Sequence, residues 1–236
     1  LGPYPSISVY GPNALIAAGG GINTPKVFRS TDGGLNWIDI SGNMTGPKIF
    51  SVWAIDENTI FAGDGGSLSG FGGNANLWKT TNGGLNWQVV LSTGGTDGFF
   101  NGIVFSRSNP SFGIAMSDAP DDDFFFVAKT TNQGATWIVQ SNTPSGYGLY
   151  GVLGTVVCID SMFYGWGIGP GTAKVVFTSN GGSSWTTKSI NSTGSYTSGF
   201  AFSNDKSVGI AVGSYSLPFI SRSTNGGASW SIFNTG

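Results

Sequence analysis

Carboxylates are the densest reactive groups in this sequence. Asp118-Ala119-Pro120-Asp121-Asp122-Asp123 puts four of them within six residues. Hard cations such as Ca2+ take oxygen ligands of this kind, so Asp118, Asp121, Asp122 and Asp123 form a candidate Ca2+ set. The spacing departs from the EF-hand loop, and a solvated acidic loop is the competing reading. No other cofactor is expected. The chain has no histidine, one glutamate (Glu57) and one cysteine (Cys158). Ser-His-Asp and Cys-His relays are therefore excluded. Cys158 stands in the apolar run Val156-Val157-Cys158-Ile159, which reads as a small core residue with no internal disulfide partner.

Aromatic rings supply a second candidate chemistry. Phe71, Phe99, Phe100, Tyr147, Tyr150, Tyr196 and Tyr215 occur beside glycine, serine or other small polar residues. Rings in such surroundings stack on sugars or anchor protein partners. The alternative is that several fold back to cover sheet edges. The glycine-rich run 64–73 lacks the GxGxxG and P-loop arrangements, which argues against a phosphate cradle. Asn43-Met44-Thr45 and Asn191-Ser192-Thr193 are glycosylation sequons in a host that uses them.

The elements that would position these groups repeat along the chain. Ser30-Thr31-Asp32-Gly33-Gly34-Leu35-Asn36-Trp37 returns four times without gaps, with its third residue at 32, 82, 132, 180 and 225. The period is thus 45 to 50 residues, the range of repeat architectures. The recurring positions are Asp32, Asn82, Asn132, Asn180 and Asn225, and the paired Trp37, Trp87, Trp137, Trp185 and Trp230. An Asp or Asn side chain can bond backbone N–H groups two residues on, and glycine accepts the positive φ of the turn. A tryptophan folded over such a turn can bury ~150–250 Å², making it the stronger structural element. These ten residues are therefore expected to be structural.

This pattern, Ser/Thr-x-Asp-x-Gly-x-x-Trp, resembles the Asp-box or BNR repeat, at one copy per unit over the whole chain. The departure is that four of the five boxes carry asparagine, which offers the same acceptor oxygen without a charge. In that family the box is the hairpin between the third and fourth strands of a propeller blade. The resemblance implies an all-β propeller. Each unit contains four strand-length apolar runs, the first set at 6–10, 15–18, 26–30 and 37–40. Five four-stranded blades are expected in a single domain over 1–236, bounded near 1–45, 46–95, 96–145, 146–192 and 193–236.

The family includes sialidases and other glycoside hydrolases, so catalysis has to be weighed. A sialidase would need an arginine triad, a Tyr/Glu pair and an acid Asp. Only Arg29, Arg107 and Arg222 are present. Arg29 and Arg222 immediately precede their boxes, where Lys79 and Lys129 stand in the second and third repeats, so they belong to the repeat. The Arg-Ile-Pro segment of sialidases is missing. Glu57 falls in a turn on the box side. Only an all-aspartate pair remains open for glycoside hydrolysis.

Meander geometry puts first–second strand turns and boxes on one face, and the remaining loops on the other. The longer loops, 64–76, 92–101, 116–123, 141–154 and 191–198, share that second face. Binding usually resides on such loops. Charged residues make up 9% of the chain and the net charge is −2, which leaves no electrostatic footprint for nucleic acid. No apolar run approaches a membrane span of ~20 residues, so no membrane insertion is expected. Sparse Lys and Glu beside abundant Gly, Ser, Thr and Asn suggest a secreted or cell-surface protein. No signal segment precedes Leu1, which points to a processed product or one piece of a longer polypeptide. The leading expectation is a non-catalytic extracellular binding or scaffolding module for a protein or glycan. The alternatives are a self-associating structural subunit and a sialidase-like glycoside hydrolase.

Overall fold

The computed structural model describes the chain except residues 1–5, 22–23, 68–71, 96–97, 119–123, 145–149, 152–154, 170–171, 192–194, 216–217 and 234–236. Every regular element among the described residues is a β-strand. Sheet one holds β1 (Ser6–Gly11), β2 (Ala14–Gly21), β3 (Thr24–Ser30) and β4 (Ile38–Asp39). Sheet two holds β5 (Ile49–Ala54), β6 (Ile60–Asp64), β7 (Asn76–Thr80) and β8 (Gln88–Ser92). Sheet three holds β9 (Phe100–Phe105), β10 (Gly113–Ser117), β11 (Phe126–Thr130) and β12 (Ile138–Val139). Sheet four comprises β13 (Tyr150–Gly151), β14 (Val157–Cys158), β15 (Tyr164–Gly169), β16 (Lys174–Thr178) and β17 (Thr186–Ser189). Sheet five holds β18 (Ser195–Phe202), β19 (Gly209–Tyr215), β20 (Phe219–Ser223) and β21 (Ser231–Phe233). Each is an antiparallel meander in chain order.

Sheet four departs from the expected four strands per blade. Its first strand is split: β13 pairs with Ile168 and Gly169, and β14 with Tyr164 and Gly165. Between them the Thr155 hydroxyl takes over the ladder at Gly167, accepting from its N–H at 3.1 Å and donating to its carbonyl at 3.3 Å. A side chain satisfies that backbone, so the chain can leave the sheet there.

The cores lie between sheets. Ile16 and Val27 of sheet one pack on Ile49, Val52 and Ala54 of sheet two. Phe61 and Leu77 of sheet two meet Phe100, Ile103 and Phe105 of sheet three. Ile114 and Val127 of sheet three meet Tyr164 and Trp166 of sheet four. Val175 and Phe177 of sheet four meet Phe200 and Phe202 of sheet five. The second strands of sheets two, three and four (β6, β10 and β15) are buried on both faces, whereas the fourth strands of sheets one and three expose Ile38, Ile138 and Val139. Those strands are only two residues long, which keeps the unpaired outer edge short.

The boxes form one geometry, and it corrects the expected bonding. The Asp32 carboxylate accepts the N–H of Asn36, four residues on, at 2.9 Å. The Ser30 hydroxyl accepts the N–H of Gly34 at 2.8 Å and donates to Asp32. Asn82, Asn132, Asn180 and Asn225 repeat the i to i+4 bond at 2.9–3.0 Å. Asparagine therefore makes the same backbone bond as aspartate, while the amides of Asn132, Asn180 and Asn225 donate to the residue four on, where Asp32 accepts from Asn36. Because Asp32 is charged, those donors hold its pKa down from 3.8 to about 2. A depressed carboxyl adds stability that is present above its unfolded value and lost as pH falls through the folded one. Asp32→Asn should leave the thermal midpoint at pH 7 unchanged and flatten the acid loss between about pH 4 and 2, checked by melts across that range.

In the third box Gln133 stands where the others have glycine, at φ +55°. A side chain there carries a cost of about 1–2 kcal/mol, partly offset because glycine loosens the unfolded chain. Gln133→Gly should raise stability by about 0.5–1 kcal/mol in a urea titration.

The tryptophans do not all latch alike. Trp87 is 3% exposed and its Nε1 donates across the sheet junction to the carbonyl of Ile40 at 2.8 Å. Trp137 meets Phe61 and Phe105 edge-on, and Trp185 meets Tyr164 and Trp166. Trp230 packs on Phe200 and Phe202 of its own sheet. Trp37, expected to cover its turn in the same way, is 41% exposed, and its Nε1 donates to the Gly34 carbonyl of its own box at 3.0 Å.

Candidate functional site

The two faces of the molecule are built differently. On the box face, each turn is tied to the first–second strand turn of its own sheet. Gly33 donates to the carbonyl of Asn13, Gly83 to Asn58, Gln133 to Ser111, Gly181 to Met162 and Gly226 to Ser207, all at 2.9–3.1 Å. This bond recurs in every sheet and occupies one backbone N–H of each box and one carbonyl of each facing turn. The cations before the boxes are also engaged, reaching the next sheet: Lys79 Nζ donates to the carbonyl of Gln133 and Lys129 Nζ to that of Gly181. Arg29 donates to the carbonyl of Glu57. Arg107 donates to Val9 and lies over the Trp53 ring at 4.6 Å. Arg29 and Arg107 thus make separate structural contacts rather than forming part of one anion clamp.

The opposite face carries the second–third strand and sheet-to-sheet loops. Its best-described part joins sheets two and three. Asp64 ends β6, and its carboxylate accepts the N–H groups of Gly66 and Asn76 at 3.0 and 2.8 Å, and Trp78 Nε1 at 3.1 Å. Asn74 Oδ1 accepts Gly94 N–H, Thr93 Oγ1 accepts Ala75 N–H, and Gly98 N–H donates to Gly73. The 64–76 segment is thereby fastened to the following loop. Asp118, next to β10, accepts Asn101 Nδ2 at 2.6 Å. The described surface offers amides, hydroxyls and backbone groups with little charge.

The sequence-derived candidates divide three ways. Phe99 and Phe100 are a correction: both are buried, Phe99 against Phe50 at 4.3 Å and Phe100 edge-on to Phe126. Strand alternation at the start of β9 turns these rings into the sheet junctions, so neither is offered to a ligand. Tyr196 is half-buried in β18, its ring close to Gly169. Phe71 and Tyr147 lie outside the described residues, as do the side chains of Tyr150 and Tyr215. Of the candidate Ca2+ set only Asp118 is described, and Asp121, Asp122 and Asp123 lie outside. Among the described residues no three His, Cys, Asp or Glu side chains come together as a metal group. Cys158 is buried in the sheet-three/four core, and desolvation pushes its thiol up to about 12, so it is no nucleophile.

Sequence reasoning missed Asn43 and Asn142. Asn43 Oδ1 accepts Trp87 N–H at 2.6 Å and its Nδ2 donates to the Trp87 carbonyl. Asn142 donates to the carbonyl of Gly182 in the next box. Asn43 had been noticed only as a sequon. A glycan on its amide would displace this anchor.

No protein-family model and no curated protein matches the sequence. Solved structures do match its fold. The GH74 xyloglucanase of Xanthomonas campestris superposes with a TM-score of 0.72 at 12% identity, over 98% of this chain and 38% of that one. YCF48 bound to D1 peptide matches with a TM-score of 0.62 at 18% identity, over 96% of this chain and 65% of that one. The nidogen/laminin complex matches with a TM-score of 0.62 at 11% identity, over 97% of this chain and 78% of its own. The chain thus spans well under half of the xyloglucanase. At these identities the likeness establishes fold alone, which is the β-propeller.

Proposed function

We propose that residues 1–236 belong to a non-catalytic, secreted or surface-displayed propeller with one Asp-box per blade, and that it binds a protein partner through the loop face. The carrying observation is the asymmetry of the two faces: a box-to-turn bond recurs on one in every sheet, while the other carries the long loops, rich in amides, hydroxyls and backbone groups, with carboxylates gathered in 116–123. Such a surface suits a peptide backbone, which needs donors and acceptors rather than counter-charges. The fold neighbours add support, since YCF48 was solved with D1 peptide and nidogen with laminin.

Selection from a displayed peptide library tests this reading. Replacing 145–149 with a short Gly-Ser linker should weaken the selected peptide by about ten-fold or more, a loss of about 1.4 kcal/mol, with an unchanged melt. Leu35→Ser and Leu85→Ser, on the exposed box face, should leave binding intact. Loss of binding in the box-face variants would refute the assignment, and a glycan array run in parallel tests the sugar alternative.

A second reading, glycoside hydrolysis, is favoured by the xyloglucanase superposition. It requires two carboxyl groups roughly 5–9.5 Å apart on one sugar-binding face. Asp64 and Asp118 are the described candidates on the loop face, but Asp64 is buried with both oxygens engaged and Asp118 is held by Asn101. Turnover of xyloglucan or fluorogenic glycosides, abolished by Asp118→Asn, would reverse the preference.

A further inference from the structure

Three of the four junctions between successive sheets use the same two halves, and in sheet four Gly165 stands opposite Phe177 instead. On the leading face, a second-strand residue sits opposite the residue that precedes the box: Ile16 opposite Arg29, Phe61 opposite Lys79, Ile114 opposite Lys129. Ile16, Phe61 and Ile114 are fully buried under the next sheet. In sheet five the same register puts Ile210 opposite Arg222 and Val212 opposite Ile220. Here Ile210, Val212 and Ile220 are 37–38% exposed. Phe233, paired with Ile220, is 51% exposed. Their neighbours Ala211 and Phe219 pack towards sheet four, so strand alternation points this apolar row away from it.

The first sheet has the complementary defect. Ser8 Oγ accepts the N–H of Ala54, so Ser8 faces sheet two and Ile7 and Val9 face the other way. Those two are 60% and 47% exposed. Their counterparts on the trailing faces of later sheets, Ile103 and Phe105 on β9, Phe200 and Phe202 on β18, are buried. Box one agrees. Gly84, Gly134 and Gly227 press against Ile40, Phe61 and Phe177 of the sheet before, whereas Gly34 meets only its own Trp37.

A polar partner is missing in the same place. Lys79 and Lys129 donate to the carbonyl just after the box asparagine of the following sheet. Arg222 holds the equivalent position and, among the described residues, has no such carbonyl before it. The carbonyl that would answer it belongs to a further box.

We propose that these two end faces are the two halves of unfilled sheet junctions, and that their partner is one to three further four-stranded sheets of this same Trp-box repeat, completing a single ring between β21 and β1. The partner chemistry follows from the residues. It offers Arg222 a box carbonyl and an aliphatic or aromatic trailing face. Its own leading face covers Ile7, Val9 and Trp37 and brings a Lys or Arg to Gly33. Propellers hold about four to eight blades. One to three added sheets stay within that range, whereas a second copy of this chain would exceed it. Direct meeting of the two ends would have buried Ile7 and Ile210. The proposal concerns the ring and does not depend on the loop-face reading.

Hydrogen exchange on the chain as it stands, and on chains extended after residue 236 by one, two or three copies of its own second repeat (46–95), tests this. In the unextended chain, β1, β19 and β20 should exchange faster than β6 and β10. One extension length should slow exchange in those strands by about ten-fold or more and raise the melting temperature, and Val212→Asp with Ile220→Asp should remove the gain. End strands already as protected as β6 in the unextended chain would show that the ring closes on itself and overturn the proposal. So would a mass that doubles with concentration in sedimentation, which identifies a second copy as the partner, or exchange unchanged at every extension length.

Discussion

Trp87→Ala should cost about 3–5 kcal/mol of stability, near the top of the range for emptying an aromatic site, while Trp37→Ala should cost no more than about 1 kcal/mol. The two residues hold the same box position, so the difference isolates what lies around them. Trp87 is inserted at the junction of sheets one and two, its Nε1 bonded to the Ile40 carbonyl and its backbone held at both ends by Asn43. Removal opens a cavity, orphans a buried carbonyl and frees the Asn43 loop. Trp37 stands at an end of the array with its ring against its own turn. Urea titrations followed by far-ultraviolet circular dichroism would measure both. Equal costs would mean that the tryptophan acts within its hairpin alone and that the inter-sheet latch is unimportant. Asn43→Ala should reproduce part of the Trp87 effect, about 1 kcal/mol.

That comparison marks where sequence reasoning succeeded and stopped. The repeat was legible because turn chemistry is local: a hydroxyl, an amide or carboxyl oxygen, glycine and tryptophan at fixed offsets specify one hairpin. Strand alternation then placed the sheets and the two faces. What lies between sheets was hidden, because neither Trp37 and Trp87 nor Phe99 and an exposed loop aromatic differ in local sequence. Phe99 sits among small polar residues and is nonetheless buried against Phe50. The bond from the third residue of the box to the N–H four residues on, rather than two, depends on how two consecutive positive-φ residues bend the turn, which spacing alone does not reveal. Asn43 and Asn142 carry no motif; only the junction gives them partners.

The segment 64–76 shows the same limit and yields the second large expected effect. By sequence it is a glycine-rich loop of the kind that can be deleted without harm. In the structure its first residue is a buried carboxylate that gathers the N–H groups of Gly66 and Asn76, the Asn76 amide and the Trp78 indole. Asp64→Ala should therefore cost about 3–5 kcal/mol, since several buried donors lose their acceptor together, and excising the loop should unfold sheet two. Asp64→Asn keeps one acceptor oxygen but turns an N–H towards the Trp78 or Asn76 donor, for an expected loss of about 1–2 kcal/mol. Acidity separates the two causes. Desolvation raises the Asp64 pKa above 3.8 despite the donors around it. A carboxyl raised in the folded state favours folding most when protonated, and that advantage is lost as pH rises from its unfolded value through its folded one. The stability of the wild type relative to Asp64→Asn should accordingly fall with rising pH across that window, opposite in sign to the Asp32 effect. A wild type that gains on the asparagine variant over the same window would mean that the four donors outweigh burial. The carboxylate would then be a net stabiliser of the loop at neutral pH rather than a charge that the fold merely tolerates.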